Sequence, residues 1–147
     1  MTSIWRCPDG ERGSVLMLMP AAVLIVLVLS AIAVDLSIVQ MGERQALDAA
    51  DAAANDAVTY GISESTLRSG GGIVLDPQRV RRSVQQSLDA HGLTPHLTRP
   101  PLVEITGPAS VRVTLSVTVD YLFAKSLPGT PDTKVVTAVG DATAVQR

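Results

Sequence analysis

Residues 15–60 read VLMLMPAAVLIVLVLSAIAVDLSIVQMGERQALDAADAAANDAVTY, and the rest of the chain is interpreted outward from them. From Val15 to Val34 there is no charge, and a dozen of these residues are Leu, Ile or Val. As a helix rising 1.5 Å per residue, the run covers about 30 Å, the thickness of a bilayer core. Each large aliphatic residue contributes roughly −0.3 to −0.6 kcal/mol to insertion, whereas an Asp at the centre of a span costs roughly 2.5 to 3.5 kcal/mol. The sequence therefore predicts a transmembrane helix over 15–34 bounded by Val15 and Val34, with Asp35 marking the place where it must stop. Pro20 removes the helical donor to the Leu16 carbonyl, which membrane helices tolerate.

Beyond Asp35 the helical pattern does not stop. No proline occurs between Asp35 and Tyr60, and the first candidate C-terminal cap after Gly42 is Gly61, so a helical extension over 35–61 is expected. At 100° per residue Ala46, Ala50, Ala53 and Ala57 form one line, while Arg44, Asp48, Asp51 and Asn55 gather on the polar side. Span and extension together make a rod roughly 65–70 Å long. The alanine line reads in two ways: as a face that admits a neighbouring helix closely, or as a self-standing stalk built from the best helix former. Arg44 and Asp48 are spaced for an i,i+4 pair, and the Asp48/Asp51 carboxylates read as a solvated face.

The flanks bear on topology. Arg6, Arg12 and the α-amine precede the span, against Arg44 alone just beyond it, so the positive bias puts residues 1–14 in the cytoplasm and the remainder outside. The competing reading is a signal peptide cleaved after Ala33, where Ala31-Ile32-Ala33 supplies a small-x-small pattern. The uninterrupted helical pattern past Ala33 argues for retention. With 147 residues there is room for one span and one small domain, and a net charge of −2 with 3% aromatic residues offers no footprint for nucleic acid. The lone Cys7 precedes the span, cannot make an intramolecular disulfide and reads as a free cytoplasmic thiol.

The C-terminal half predicts one small α+β domain over 62–147. Asp76-Pro77 forms an N-cap and first helical residue, Gly92 is a stop, and Val80, Val84 and Leu88 fall on one stripe between them. Arg79, Arg81 and Arg82 in its first turns oppose the helix dipole and read mainly as solvated. Strands are expected over 102–106, 111–123 and 134–145, the middle one from the strict alternation of Val111, Val113, Leu115, Val117, Val119, Tyr121 and Phe123 with polar neighbours. A three-stranded antiparallel meander is marginal alone, and laying the Val80/Val84/Leu88 stripe on it closes a small core. A long helix followed by such a sheet is a pilin-like plan.

The order of elements resembles a family. Glu11-Arg12-Gly13-Ser14-Val15, an apolar run with an early proline, the exit Ala33-Val34-Asp35, then Arg44 and 47–54 reading LDAADAAA are similar to the N-terminal segment of Tad-type (TadE/TadG-like) Flp pilus-assembly proteins. The similarity covers about the first third of the chain. Ser37 stands where a glycine often follows the exit Asp, and Asn55-Asp56 replaces smaller residues at the helix end. For the cleaved branch, the resemblance implies a glutamate five residues after the glycine, and Leu18 occupies that position, so the chain is closer to the uncleaved TadG-like branch. Asp35-Leu36-Ser37-Ile38-Val39 does not make the DxSxS metal site of larger members. The implied role is a membrane-anchored structural component of a Tad/Flp-like pilus or secretion assembly, whose partners are the bilayer and other membrane-embedded or pilus-assembly subunits met through helix packing. A secreted binding protein released after Ala33 is the alternative.

No catalytic, cofactor or metal constellation is expected. The 69–72 SGGG tract lacks the Lys-Ser/Thr ending of a phosphate loop, no HExxH, CxxC or GxSxG occurs, and His91 and His96 beside Asp89 lack convergent ligand spacing. The chain is therefore expected to be neither an enzyme nor a receptor for a small-molecule substrate. If the span is retained, N-terminal sequencing of the protein from the membrane fraction will read from Met1, whereas a start at Val34 would establish signal-peptide release and one at Ser14 prepilin-type processing.

Overall fold

The computed structural model describes residues 12–70, 72–126 and 128–145. The expectations for Cys7 and for the charged flank before Arg12 lie outside those residues. Helix α1 (Arg12–Tyr60) runs unbroken for 49 residues, through Pro20, for a length of about 73 Å. It is followed by a short helix α2 (Glu64–Arg68), helix α3 (Pro77–Ala90) and strands β1 (Leu102–Gly107), β2 (Ser110–Asp120) and β3 (Thr133–Thr143). The strands form an antiparallel meander in the order β1-β2-β3. The fold is α+β, with one long apolar N-terminal helix.

The two halves of α1 live in different surroundings. Over its apolar half, large side chains on every face are bare: Leu18, Met19, Val23, Leu24, Ile25, Val26, Leu27, Val28, Leu29 and Ile32 are all exposed. A helix apolar all round with no protein around it is long and apolar enough to cross a membrane. Its hydroxyls are internally satisfied, since Ser30 Oγ donates to the Val26 carbonyl and Ser37 Oγ to the Ala33 carbonyl, each at 2.8 Å.

Past Asp35 the same helix becomes the centre of the core. Ala46, Ala50, Ala53 and Ala57 are 0% exposed, and they cluster with Val80, Val84 and Leu88 of α3, with Val111, Val113, Leu115 and Val117 of β2, and with Val136, Ala138 and Ala142 of β3. This corrects the picture of a stalk over 35–61 followed by a separate domain over 62–147. The sheet presents one continuous apolar face, and leaving a Val or Leu there in water forfeits about 1.5–3 kcal/mol apiece. The α3 stripe is too narrow to cover that face, so α1 supplies the rest. The alanine line is accordingly filled by this chain's own sheet and α3, and Ala46, Ala50, Ala53 and Ala57 present no surface to a helix of another subunit.

Glycine sets how closely the layers meet. A Cβ built on Gly140 of β3 would stand 2.3 Å from the carbonyl carbon and oxygen of Ala50, so strand and helix touch backbone to backbone. Gly42 likewise makes room for Val119, whose Cγ2 would lie 2.5 Å from an added Cβ. Gly61 ends α1 without entering the left-handed region that a capping glycine uses; its N–H donates to the Ala57 carbonyl at 2.9 Å, and its missing side chain admits Val80.

Helix α3 forms as its caps dictate. Asp76 Oδ1 accepts from the Gln78 N–H at 2.8 Å, and Gly92 turns the chain at φ +68°. Arg79 is not merely solvated: it pairs with Glu64 of α2 at 3.1 Å, joining a short helix that the sequence pattern did not announce. Arg44 and Asp48 form no ion pair among the described residues, and both stay on the exposed side with Asp51 and Asn55. On the outer sheet face, Arg112 of β2 grips Asp141 of β3 through two hydrogen bonds of 2.7 and 3.3 Å. Gly140→Ala forces the helix and sheet apart and is expected to cost about 1–3 kcal/mol. The measurement is thermal unfolding of the detergent-solubilised protein, with the outward neighbour Val139→Ala near neutral; an unshifted Gly140→Ala would mean the two backbones do not meet.

Candidate functional site

The chemistry of greatest consequence gathers where the apolar half of α1 ends. Asp35 lies at 8% exposure although it is the first charge after the apolar run. Its carboxylate is held by backbone donors 87 to 89 residues further along the chain: Oδ1 accepts from the N–H of Leu122 at 2.8 Å and of Phe123 at 2.9 Å, while Oδ2 accepts from Phe123 at 3.2 Å and Ala124 at 2.7 Å. Those N–H groups open the 3-10 turn Ala124–Ser126, so their own carbonyl partners are missing by construction. Burial pushes the carboxyl pKa up, and the donors from Phe123, Ala124 and Leu122 outweigh it, so the group titrates below its ordinary value.

This clamp explains why β2 stops at Asp120 and not at 123 as the alternation suggests. To aim three successive N–H groups at one carboxylate, the backbone must leave the extended conformation. Tyr121 and Phe123 therefore sit in a loop, closed at its base by the Tyr121 N–H donating to the Asp132 carbonyl at 3.0 Å, braced by Ser126 N–H to Phe123 O at 3.0 Å, and tied across by Thr130 Oγ1 donating to the Ala124 carbonyl. Nearby, Lys134 at the start of β3 pairs with Glu43 of α1 at 3.1 Å. Of the residues singled out in the sequence, Asp35 is thus brought into a built site, Ala46, Ala50, Ala53 and Ala57 into the core, and Val34 stays exposed on the bare helix.

Nothing in the local sequence pairs Asp35 with residues 122–124; the available signal is the acid itself, standing directly after an uncharged run over 15–34. His91 and His96 line one open groove with Gln45, Asp48, Ala49 and Leu93. Asp89 is engaged by Thr94 Oγ1 and by Gln85 Nε2, the latter at 3.3 Å, while His91 and His96 remain exposed. Among the described residues, no group of three or more His, Cys, Asp or Glu is placed to hold a metal ion.

Comparison of the chain with protein-family models, with curated proteins and with solved structures gives no match.

The depressed pKa has a definite consequence for stability. The folded carboxyl titrates below its unfolded value of about 3.9. The clamp therefore contributes in full above about pH 5 and fades as pH falls through the lowered folded value. In amide exchange, Leu122, Phe123 and Ala124 are expected to lose protection relative to Val113 over that acid range. In Asp35→Asn, which has one acceptor oxygen in place of two and adds donors that meet donors, the same three amides lose most of their protection at every pH. Equal protection in the variant would show that the loop stands without the carboxylate.

Proposed function

We propose that this chain is a membrane-anchored structural subunit of pilin-like plan, serving a Tad/Flp-like pilus or secretion assembly, with the short N-terminus in the cytoplasm and the α+β domain outside. The observation that carries the reading is that one helix is bare and apolar on all sides over its first half and the packed centre of a small domain over its second half. Such a helix fixes the domain rigidly to the bilayer, which suits a scaffold or a minor pilin-like subunit and does not suit a diffusing enzyme. The resemblance of the RGS entry, the Ala33-Val34-Asp35 exit and the alanine-rich continuation to TadE/TadG-like segments supports the assembly class. Retention is favoured over release after Ala33 because α1 crosses that bond as unbroken helix and Ser37 hydrogen-bonds back to Ala33.

In this reading contact with other subunits falls to the span and not to the alanine line, since the latter is filled from within. A photoreactive residue in place of Leu27 is therefore expected to crosslink the protein to other membrane subunits, while one at Ala50 gives only products within the chain. A reporter joined after Arg147 should be active only outside the cytoplasm, with Cys7 shielded from an impermeant thiol reagent in intact cells. Recovery of the domain free in the medium with Val34 at its start would replace this reading with the secreted binding protein.

A further inference from the structure

Among the described residues, the loop joining β2 to β3 reaches down to the apolar half of α1. Its backbone is hydrogen-bonded to Asp35, one residue beyond the span. Tyr121, Ala124 and Pro131 share a groove with Ile32, which lies inside the span. On this loop Leu122 and Phe123 are 50% and 45% exposed, with Lys125 exposed beside them. Two neighbouring large apolar side chains facing outward at the foot of a small domain need a partner, and the level at which they sit names it.

The hydrocarbon core is about 30 Å thick within a bilayer of about 40–45 Å, leaving a headgroup layer of a few ångströms on each side. A backbone one hydrogen bond away from Asp35 is inside that layer if residues 15–34 fill the core. We infer that the described loop residues, 121–126 and 128–132, form a membrane-interface foot, with Leu122 and Phe123 immersed at the boundary between headgroups and acyl chains and Tyr121 beside them. This rests on the proposed transmembrane placement of α1. The occupant is the bilayer surface itself, because the foot is continuous with the lipid-facing part of the same helix and amphipathic and aromatic groups partition to that depth. The charges along 120–134 are Asp120, Lys125, Asp132 and Lys134, which cancel, so the attachment is apolar and needs no anionic lipid. The carboxylate at Asp35 then has a second purpose: it satisfies three N–H groups that would otherwise enter a layer poor in water.

The test uses the full chain with Cys7→Ser, carrying one new cysteine labelled with an environment-sensitive fluorophore, in vesicles of zwitterionic phosphatidylcholine. Labels are placed at Phe123→Cys, and separately at Leu122→Cys in case one position disturbs the loop. Gln78→Cys serves as the distant control, because it neighbours Val80 at the Gly61 end of α1, about 39 Å along the helix from Asp35. Leu27→Cys reports the span. The expected result is blue-shifted emission at 122 or 123 and several-fold stronger quenching by a nitroxide near the headgroup than at 78, with Leu27→Cys quenched by a nitroxide deep in the acyl chains. Labels at 122 and 123 that match 78 while 27 is quenched would overturn the foot and leave the span standing. Absence of deep quenching at 27 would remove the span and the foot with it. Quenching at 122 and 123 that appears only with anionic lipid would overturn the apolar attachment.

Discussion

The structure depends on the approach of two backbones, α1 at Ala50 and β3 at Gly140. A three-stranded sheet with one apolar face is marginal in water alone, and the element packed directly on this one is the helix that continues from the apolar run. Covering it at this distance demands that neither side chain intrude, which is why the helix presents a line of alanines and the strand a glycine at the crossing. Valines on the flanking positions of β2 and β3 then close around the line, and α3 seals the remaining side with Val80, Val84 and Leu88. Helix propensity and packing distance select the same residue here. An alanine-rich continuation keeps α1 rigid, and it also lets the sheet come close.

Asp35 solves the opposite problem. It is the first charge after the apolar run and is nearly buried, which is costly for a carboxylate without donors. Its charge is not left to water. It is met by three amide donors from the turn that joins β2 to β3, so the same residue closes the apolar run, ends β2 and fixes the loop. Charge-assisted bonds of this kind are stronger than neutral ones and depend on geometry, so the loop is held in position relative to the helix axis and does not wander over the surface.

Much of this was legible in the sequence because it is written in local periodicity. The apolar run, the caps Asp76 and Gly92, the α3 stripe and the three strands each declare themselves within a dozen residues. What did not declare itself is long-range. The alanine line is compatible with a foreign helix, with solvent or with a sheet, and only the width of the sheet's apolar face against the narrowness of α3 decides among them. The end of β2 was misplaced for the same reason: Tyr121 and Phe123 continue the alternation perfectly well, and it is a carboxylate 86 and 88 positions earlier that bends the backbone away. Helix α2 has five residues, too few for a periodic pattern, and its Glu64 pairs with Arg79 of α3.

These contacts have a mechanical consequence. A span joined to its domain by a flexible linker transmits only tension, because the linker absorbs rotation and tilt. Here no linker exists: the helix that is bare over 18–34 is the same helix whose Ala46, Ala50, Ala53 and Ala57 are locked under the sheet, and the clamp at Asp35 prevents the domain from pivoting at the junction. Any tilt or rotation imposed on the apolar half must reappear in the sheet, and any load on the sheet must reach the apolar half. The price of that coupling is sensitivity at the crossing, where one methyl group at Gly140 separates the layers. A junction this rigid fixes the orientation of the sheet relative to the axis of the apolar helix.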